Sequence, residues 1–430
     1  MLRLSSKLTD RFSALRHRDF RIFWFGYVIS VSGQQMLWML EGWLIYEITG
    51  SKLYLGLNAA AQALPATALV LVGGVIADKF DQRKLLIAVQ IGNIVLLGLL
   101  AGLALSELLE VWHILTIAFV HSAVGSFENP ARQAMFPHLV DRAAMPNAIG
   151  LNSSIHPGTR IVAPVVGGLI LALMMDATDS PRIAAGTVLL VTVAGVMVYT
   201  VALLMIHLPP IKRAHAGSMI QSMAEGAQFI WRERVFAFLI GLAWYNMAFG
   251  ISFTVLIPVI AKDILHVGPG AQGIMWGAQG VGSMAGVILA THYAKPWHQR
   301  RSLIFNPILL GGAMIALAFI PVYWISLFIF FLVGTGASAA NVTIQQNLQM
   351  LVPNELRGRV MGVWSIVHTS IRPLGEVQFS LVAIVSAPLA LVLGGAMLVV
   401  GSVLFTAPTK YGHHLTDLRQ AALDEAAAHR

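Results

Sequence analysis

The chain has no cysteine at all. Disulfides, thiolate metal sites and cysteine nucleophiles are therefore excluded. Charge is almost as scarce. Asp, Glu, Lys and Arg make up 11% of the 430 residues, against about 25% in an ordinary soluble domain. A soluble protein so poor in charge has nothing with which to cover its surface, whereas a protein facing lipid needs no such cover. Two further motifs are missing. No Gly-x-x-x-x-Gly-Lys-Ser/Thr occurs, so the chain carries no phosphate-binding loop for ATP. No His-Glu-x-x-His occurs, and the 14 histidines are scattered. No metal or cofactor is expected, and no enzymatic activity.

What is present is hydrophobic: 57% of residues are apolar. A membrane-spanning helix needs about 20 apolar residues. Runs of that kind lie near 22–46, 55–77, 85–106, 112–133, 148–175, 183–206, 235–261, 270–294, 302–323, 325–348, 360–386 and 387–407. The last two divide at Ser386-Ala387-Pro388. The expected fold is an all-α membrane protein of twelve transmembrane helices. The first run is too long for a cleaved signal peptide, and residues 1–21 read as a basic cytoplasmic arm.

With the N-terminus placed inside, all but five of the 28 basic residues fall on the cytoplasmic side or its edge. Lys52, Arg182 and Lys262 are outside, while Arg160 and Arg372 lie within spans. This is the positive-inside pattern of an even-spanning protein with both termini cytoplasmic. It accounts for the formal charge of +8 without nucleic acid as a partner. The longest cytoplasmic connection, 208–233, opens with Pro209-Pro210 and then takes helical spacing. The expected organisation is an N-terminal bundle at 22–207, this linker, a C-terminal bundle at 234–408 and a polar tail at 409–430.

The halves are duplicated. Shifting 126–160 by 212 residues aligns Ser126 with Ser338, Asn129 with Asn341, Gln133 with Gln345, Gly150 with Gly362, Ser153 with Ser365, His156 with His368 and Arg160 with Arg372, besides two apolar pairs. Parallel six-helix repeats imply a pseudo-two-fold axis along the membrane normal, with a binding site near the midplane between the repeats.

The stretch Gly74-Val75-Ile76-Ala77-Asp78-Lys79-Phe80-Asp81-Gln82-Arg83-Lys84 resembles the loop motif between spans 2 and 3 of the major facilitator superfamily, with Asp81 in place of a glycine. That acidic form, and Leu351-Val352-Pro353-Asn354-Glu355-Leu356-Arg357-Gly358-Arg359, are similar to the enterobactin-exporter-like branch. Ala163-Pro164-Val165-Val166-Gly167-Gly168 resembles the span 5 element of exporters. The resemblance runs from about Leu15 to Pro408. It implies a secondary transporter in the bacterial inner membrane, a monomer embedded in the lipid bilayer. It is expected to exchange protons for a small amphipathic solute such as a drug, siderophore or metabolite. A lysophospholipid flippase of the same fold and a non-transporting membrane receptor are the alternatives. In the motif, Asp78, Lys79, Arg83 and Lys84 are expected to form a latch that gates the bundles; a topogenic basic turn is the plainer reading. Pro164, Gly167 and Gly168 are expected to hinge span 5, or else to serve ordinary close packing.

Charged residues inside spans cost on the order of 2.5–3.5 kcal/mol each at a helix centre and so point to function. They are Glu41, Glu128, Arg160, Arg372 and Glu376. His156 and His368 precede the two arginines by one turn, and His368, Arg372 and Glu376 share one stripe of span 11. In the functional reading the arginines attract an anionic group while Glu376, Glu41 or Glu128 carries a proton. In the structural reading Arg372 and Glu376 are a closed pair. Aromatic and polar residues of spans 1, 2, 7 and 10, namely Trp38, Trp43, Asn58, Gln62, Trp244, Tyr245, Asn246, Asn341 and Gln345, join the expected substrate path, with belt or packing roles as the equal alternative for the tryptophans.

Overall fold

The computed structural model describes residues 13–207, 219–292 and 296–406. Of their side chains it describes all but 70–79, 219–223, 296–298, 300, 354, 368–369 and 405–406. The expected arm at 1–21 lies outside these residues up to 12, as do linker residues 208–218 and the tail at 409–430.

The described chain is helical throughout. In order come α1 (Arg18–Thr49), α2 (Lys52–Lys79), α3 (Gln82–Leu105), α4 (Val111–Gly125), α5 (Glu128–Met135), α6 (Met145–Thr178) and α7 (Pro181–Met205). Within the linker lies α8 (Met219–Arg232), and after it follow α9 (Arg234–Phe249), α10 (Pro269–His292), α11 (Pro296–Phe319), α12 (Tyr323–Leu351), α13 (Asn354–Val385) and α14 (Ala387–Gly401). Twelve spans account for all of them but the linker helix α8, α5 completing the fourth and the turns after α9 completing the seventh. Eight stretches among the described residues are long and apolar enough to cross a membrane on composition alone. Outside that set, α4 is only 15 residues long, while α1 carries the buried Glu41 and α13 carries Arg372 and Glu376.

Local chemistry sets the boundaries. Ser180 and Ser386 accept from the backbone N–H three residues on, and Pro181 and Pro388 open the following helices, where a missing N–H costs nothing. The expected fourth span at 112–133 is not one helix. It breaks after Gly125 and resumes at Glu128. Pro130, in the first turn of the resumed helix, has no N–H to offer the Ser126 carbonyl, so that rung of the ladder is missing. The seventh span also breaks, at Gly250, which takes φ −103° and ψ −85°. A 3-10 stretch, Ile251–Leu256, and a π turn, Ile260–Ile264, follow.

The chain divides into two compact units. The first comprises Met1–Ile48 and Leu64–Ala216; the second comprises Gly217–Arg430 together with the first half of α2, Thr49–Ala63. The first is centred on Phe20, Phe23, Tyr27, Leu86, Met135, Ile155, Tyr199 and Leu203, all buried. The second is centred on Phe236, Leu239, Leu303, Ile344, Leu348 and Trp364. In the second unit α10 and α12 touch backbone to backbone. A Cβ on Gly282 would run into the Phe331 carbonyl, and one on Gly286 into that of Thr335. The Thr335 hydroxyl donates to the Gly282 carbonyl at 3.1 Å. Close small-residue contact of this kind substitutes for hydrophobic drive within lipid. The large apolar side chains that remain exposed, among them Leu173, Phe319, Trp324 and Val385, match a lipid-facing surface.

Candidate functional site

In the second unit the break in the seventh span meets α13. The Ser252 hydroxyl donates to the carbonyls of Met247 (2.7 Å) and Arg372 (2.8 Å). Gly375 lets the chains approach, since a Cβ there would strike Ser252 and the Ala248 carbonyl. The Arg372 guanidinium lies in this cradle. Its Nε donates to Glu376 Oε1 at 2.8 Å and its Nη2 to the Thr254 hydroxyl at 3.4 Å. The two side chains are 31% and 14% exposed, so the arginine is the half more open to an incoming group. Irregular backbone at membrane depth is tolerated where protein or a polar path satisfies it, and here the side chains of Ser252 and Thr254 are turned to that use.

Asn246, one turn before the break, is buried. Its Nδ2 donates to the Leu242 carbonyl at 3.0 Å, but its Oδ1 has no hydrogen-bond partner. Asn341 Oδ1 on α12 is likewise buried and unpaired, and Gln345 is half-buried. Their neighbours carry a polar ladder that sequence reasoning missed. Asn347 Nδ2 donates to Gln299 Oε1 at 2.7 Å, Gln299 Nε2 donates to Gln346 Oε1 at 3.1 Å, and Ser302 and Thr343 bond at 3.0 Å. Tyr245 departs from the expected substrate path: its hydroxyl donates to the Met397 carbonyl and its ring abuts Gly401, so it packs on α14. The side chain of His368 lies outside the described residues.

The first unit gathers a second constellation. The Arg132 guanidinium stands 4.5 Å from the centroid of the Tyr27 ring. Its Nη2 donates to Asn129 Oδ1 at 2.5 Å. Tyr27 Oη bonds His156 Nε2 at 3.2 Å, and the Tyr27 and Tyr199 rings lie 5.5 Å apart. Glu128 is not inside a continuous span as expected; it opens α5, beside the Pro130 break, in electrostatic reach of Arg132 and Tyr199. His156 is exposed on α6, with Arg160 half-buried one turn on. Glu41 is buried in α1. The duplication stops at the acids. By the shift that superposes Arg160 on Arg372, namely 372 − 160 = 212, Glu376 falls opposite Pro164 and Glu128 opposite Ala340. The halves share a His-Arg stripe but differ in where they keep a carboxylate.

The loop motif is built from backbone contacts. Asp81 caps α3, accepting from the Lys84 N–H at 2.9 Å. That gives the acid at this position a local role worth about 1 kcal/mol. Arg83 donates to the carbonyls of Leu203 (2.8 Å) and Leu204 (2.7 Å) at the end of α7, where unpaired carbonyls and the helix dipole favour a cation. Lys84 is exposed. The side chains of Asp78 and Lys79 lie outside the described residues. In α6, which runs on through Pro157 and Pro164, Pro164, Gly167 and Gly168 are buried. A Cβ on Gly167 would come within 3.0 Å of Met36 Cγ, so this face packs closely on α1.

Comparisons with known proteins agree with this architecture. Residues 9–419 match the major facilitator family described as transmembrane secretion effector. Macrolide efflux protein A of Streptococcus pyogenes is 21% identical over 375 residues, 85% of this chain and 89% of that protein. Multidrug efflux pump Tap of Mycolicibacterium fortuitum is 24% identical, covering 77% and 81%. The staphyloferrin A transporter of Staphylococcus aureus is 23% identical, covering 79% and 83%. Among solved structures, a bacterial homologue of the lysosomal transporter Spinster, inward-facing and unoccupied, superposes with a TM-score of 0.69 at 12% identity, covering 94% of this chain and 97% of that one. The nucleoside transporter NupG gives 0.69 at 12%, covering 91% and 98%. The chain belongs to the transmembrane secretion effector family of the major facilitator superfamily: it is a multi-span membrane transporter of that fold and not an enzyme.

Proposed function

We propose that the chain is a proton-driven exporter of small amphipathic solutes, working by alternating access as a monomer in a bacterial inner membrane with both termini cytoplasmic. The observation that carries the reading is the Arg372–Glu376 pair held at 2.8 Å against Thr254 in the broken seventh span. A charge kept in a polar cradle at membrane depth is a functional site by default. Arg372, the more exposed partner, meets an anionic or strongly polar group of the solute, and Glu376 holds it in place when the site is empty. Arg160 is the corresponding charge of the first unit. The efflux names borne by the macrolide and Tap relatives support export. The basic residues of the loops support the orientation.

The test is flux in proteoliposomes under an imposed pH gradient, with a radiolabelled macrolide and ethidium as probes. Either probe should move against its own gradient in the direction opposite to protons and stop on adding a protonophore. No movement of either probe under either gradient direction would refute proton-driven export.

A further inference from the structure

We propose that His156 reads the solute: its ring Nδ1–H donates to an oxygen acceptor of the transported molecule, and Tyr27 is the positioning residue that turns the ring to that task. The inference rests on the export reading above and names the solute chemistry that the first unit recognises. Tyr27 Oη and His156 Nε2 lie 3.2 Å apart. Tyr27 is 3% exposed, and this ring nitrogen is the hydrogen-bond partner of its hydroxyl among the described residues. A buried O–H left without an acceptor is costly, and Nε2 is the acceptor in reach. A neutral imidazole that accepts at Nε2 carries its own proton on Nδ1. His156 is exposed, and its Nδ1–H has no partner among the described residues. The donor is therefore fixed in direction and open to an incoming group.

The phenol is clamped from three helices. The Tyr27 ring stacks on Phe23 of α1, with centroids 5.7 Å apart and planes at 16°, and lies 5.5 Å from the ring of Tyr199 on α7. The Arg132 guanidinium of α5 stands 4.5 Å from its centroid. Packing alone does not require this arrangement, because the second unit does without it. By the 212-residue shift Arg132 falls opposite Ile344, a residue of the apolar core. The first turns of α9, Val235–Ala243, hold no polar side chain. Where the second unit uses hydrocarbon, the first places a buried guanidinium and a buried hydroxyl. The face that His156 shares is polar too: Ser153, His156 and Arg160 follow at i, i+3 and i+7 on α6. Such groups at membrane depth face a bundle interior or a water-filled space rather than lipid. The chemistry that fits a neutral N–H donor beside a cation is an oxygen acceptor, whether carbonyl, hydroxyl, ether or carboxylate. A macrolide offers many such oxygens; ethidium, a cation whose only heteroatoms are nitrogens, offers none.

Two measurements on the full-length protein test it. The first is binding of a radiolabelled macrolide and of ethidium in detergent. His156→Gln keeps an amide where Nε2 stood, and so a partner for Tyr27, but has no donor at the Nδ1 position. Its macrolide affinity should fall about fivefold, and its ethidium affinity by much less. His156→Asn, whose amide nitrogen takes the place of Nδ1, should recover most of the loss. The second is the nitrogen NMR spectrum of histidine-labelled protein, in which the His156 signals are those missing from His156→Asn. They should show a proton on Nδ1 and none on Nε2. Tyr27→Phe keeps the ring under Arg132 but lacks the hydroxyl; it should move the proton towards Nε2 and weaken macrolide binding as His156→Gln does. A purely structural tyrosine would not change which nitrogen is protonated. A wild type that binds neither probe would refute the export reading and the solute contact together. Four results would overturn the proposal while the export reading stands: a proton on Nε2 in the wild type, nitrogen signals unchanged in Tyr27→Phe, ethidium bound but no macrolide, or equal macrolide affinity in His156→Gln and the wild type. If His156→Gln does not fold, the Tyr27→Phe affinity and nitrogen signals decide the matter.

Discussion

Replacing Arg372 by methionine removes the guanidinium but keeps most of its apolar stem, and leaves the Glu376 carboxylate, 14% exposed, without its ion-pair partner. Breaking a buried pair from one side costs about 3–5 kcal/mol. Arg372 is 31% exposed, so water screens part of the interaction, and about 2 kcal/mol is the better expectation for either single change. Glu376→Gln has the mirror effect on Arg372. The double variant Arg372→Met/Glu376→Gln leaves no unpaired charge, and its loss should be about 2 kcal/mol smaller than the sum of the singles. The assay is thermal or denaturant unfolding of the detergent-solubilised protein for all four members of the cycle. The double variant should fold well and still fail to move a macrolide, which separates the pair's contribution to stability from its contribution to transport. Additive losses, within about 0.5 kcal/mol, would show that the two residues do not act as a pair and would refute the reading of the cradle.

Further outcomes follow from other contacts. Gly282→Leu drives a side chain into the Phe331 carbonyl; separating α10 from α12 should cost about 3 kcal/mol or more, read as loss of monodisperse protein on size exclusion. Asp81→Ala should lower stability by about 1 kcal/mol while Asp81→Asn retains most of it, read from unfolding midpoints. Arg83→Lys keeps the charge but gives up the fork that spans the Leu203 and Leu204 carbonyls, so it should destabilise by about 1 kcal/mol despite being conservative. Glu225→Ala breaks the pair with Arg359 that ties α8 to α13; with both side chains about two-fifths exposed, the loss should stay under about 1 kcal/mol and vanish at high salt.

Much of the fold was legible because lipid enforces it. Hydrophobic length, proline and serine at helix starts, and basic loops are one-dimensional signals, and each marks a backbone that must satisfy itself within the membrane. The Ser386-Ala387-Pro388 division of the last two helices is of this kind. The two breaks were not read, although their cause is in the chain. Pro130 and Gly250 sit inside runs whose hydropathy barely registers them, and neither the missing N–H of the one nor the backbone freedom of the other depends on how apolar the neighbours are.

The candidate site was legible by charge and opaque by partner. Arg372 and Glu376 stand one turn apart on α13, so their pairing follows from helical spacing. Tyr27, Arg132 and Tyr199 meet from α1, α5 and α7, and in the sequence each looks like an aromatic in an apolar run or a base at a loop. Gln345 stood out as a polar residue in the tenth span, yet Gln346 and Asn347 make the bonds to Gln299. Which face of α12 meets α11 is a packing outcome. The only available signal was the density of amides, Gln345 through Asn347, in an otherwise apolar helix.

The most direct test of the account follows protons and solute together. Vesicles made acid inside, holding a pH-sensitive dye and the purified protein, are given a macrolide on the outside. The account predicts that the macrolide enters and the interior becomes more alkaline at a matching rate, and that neither happens in vesicles without the protein. Macrolide entry with no change in interior pH, or a pH change that does not depend on the macrolide, would contradict proton-coupled exchange.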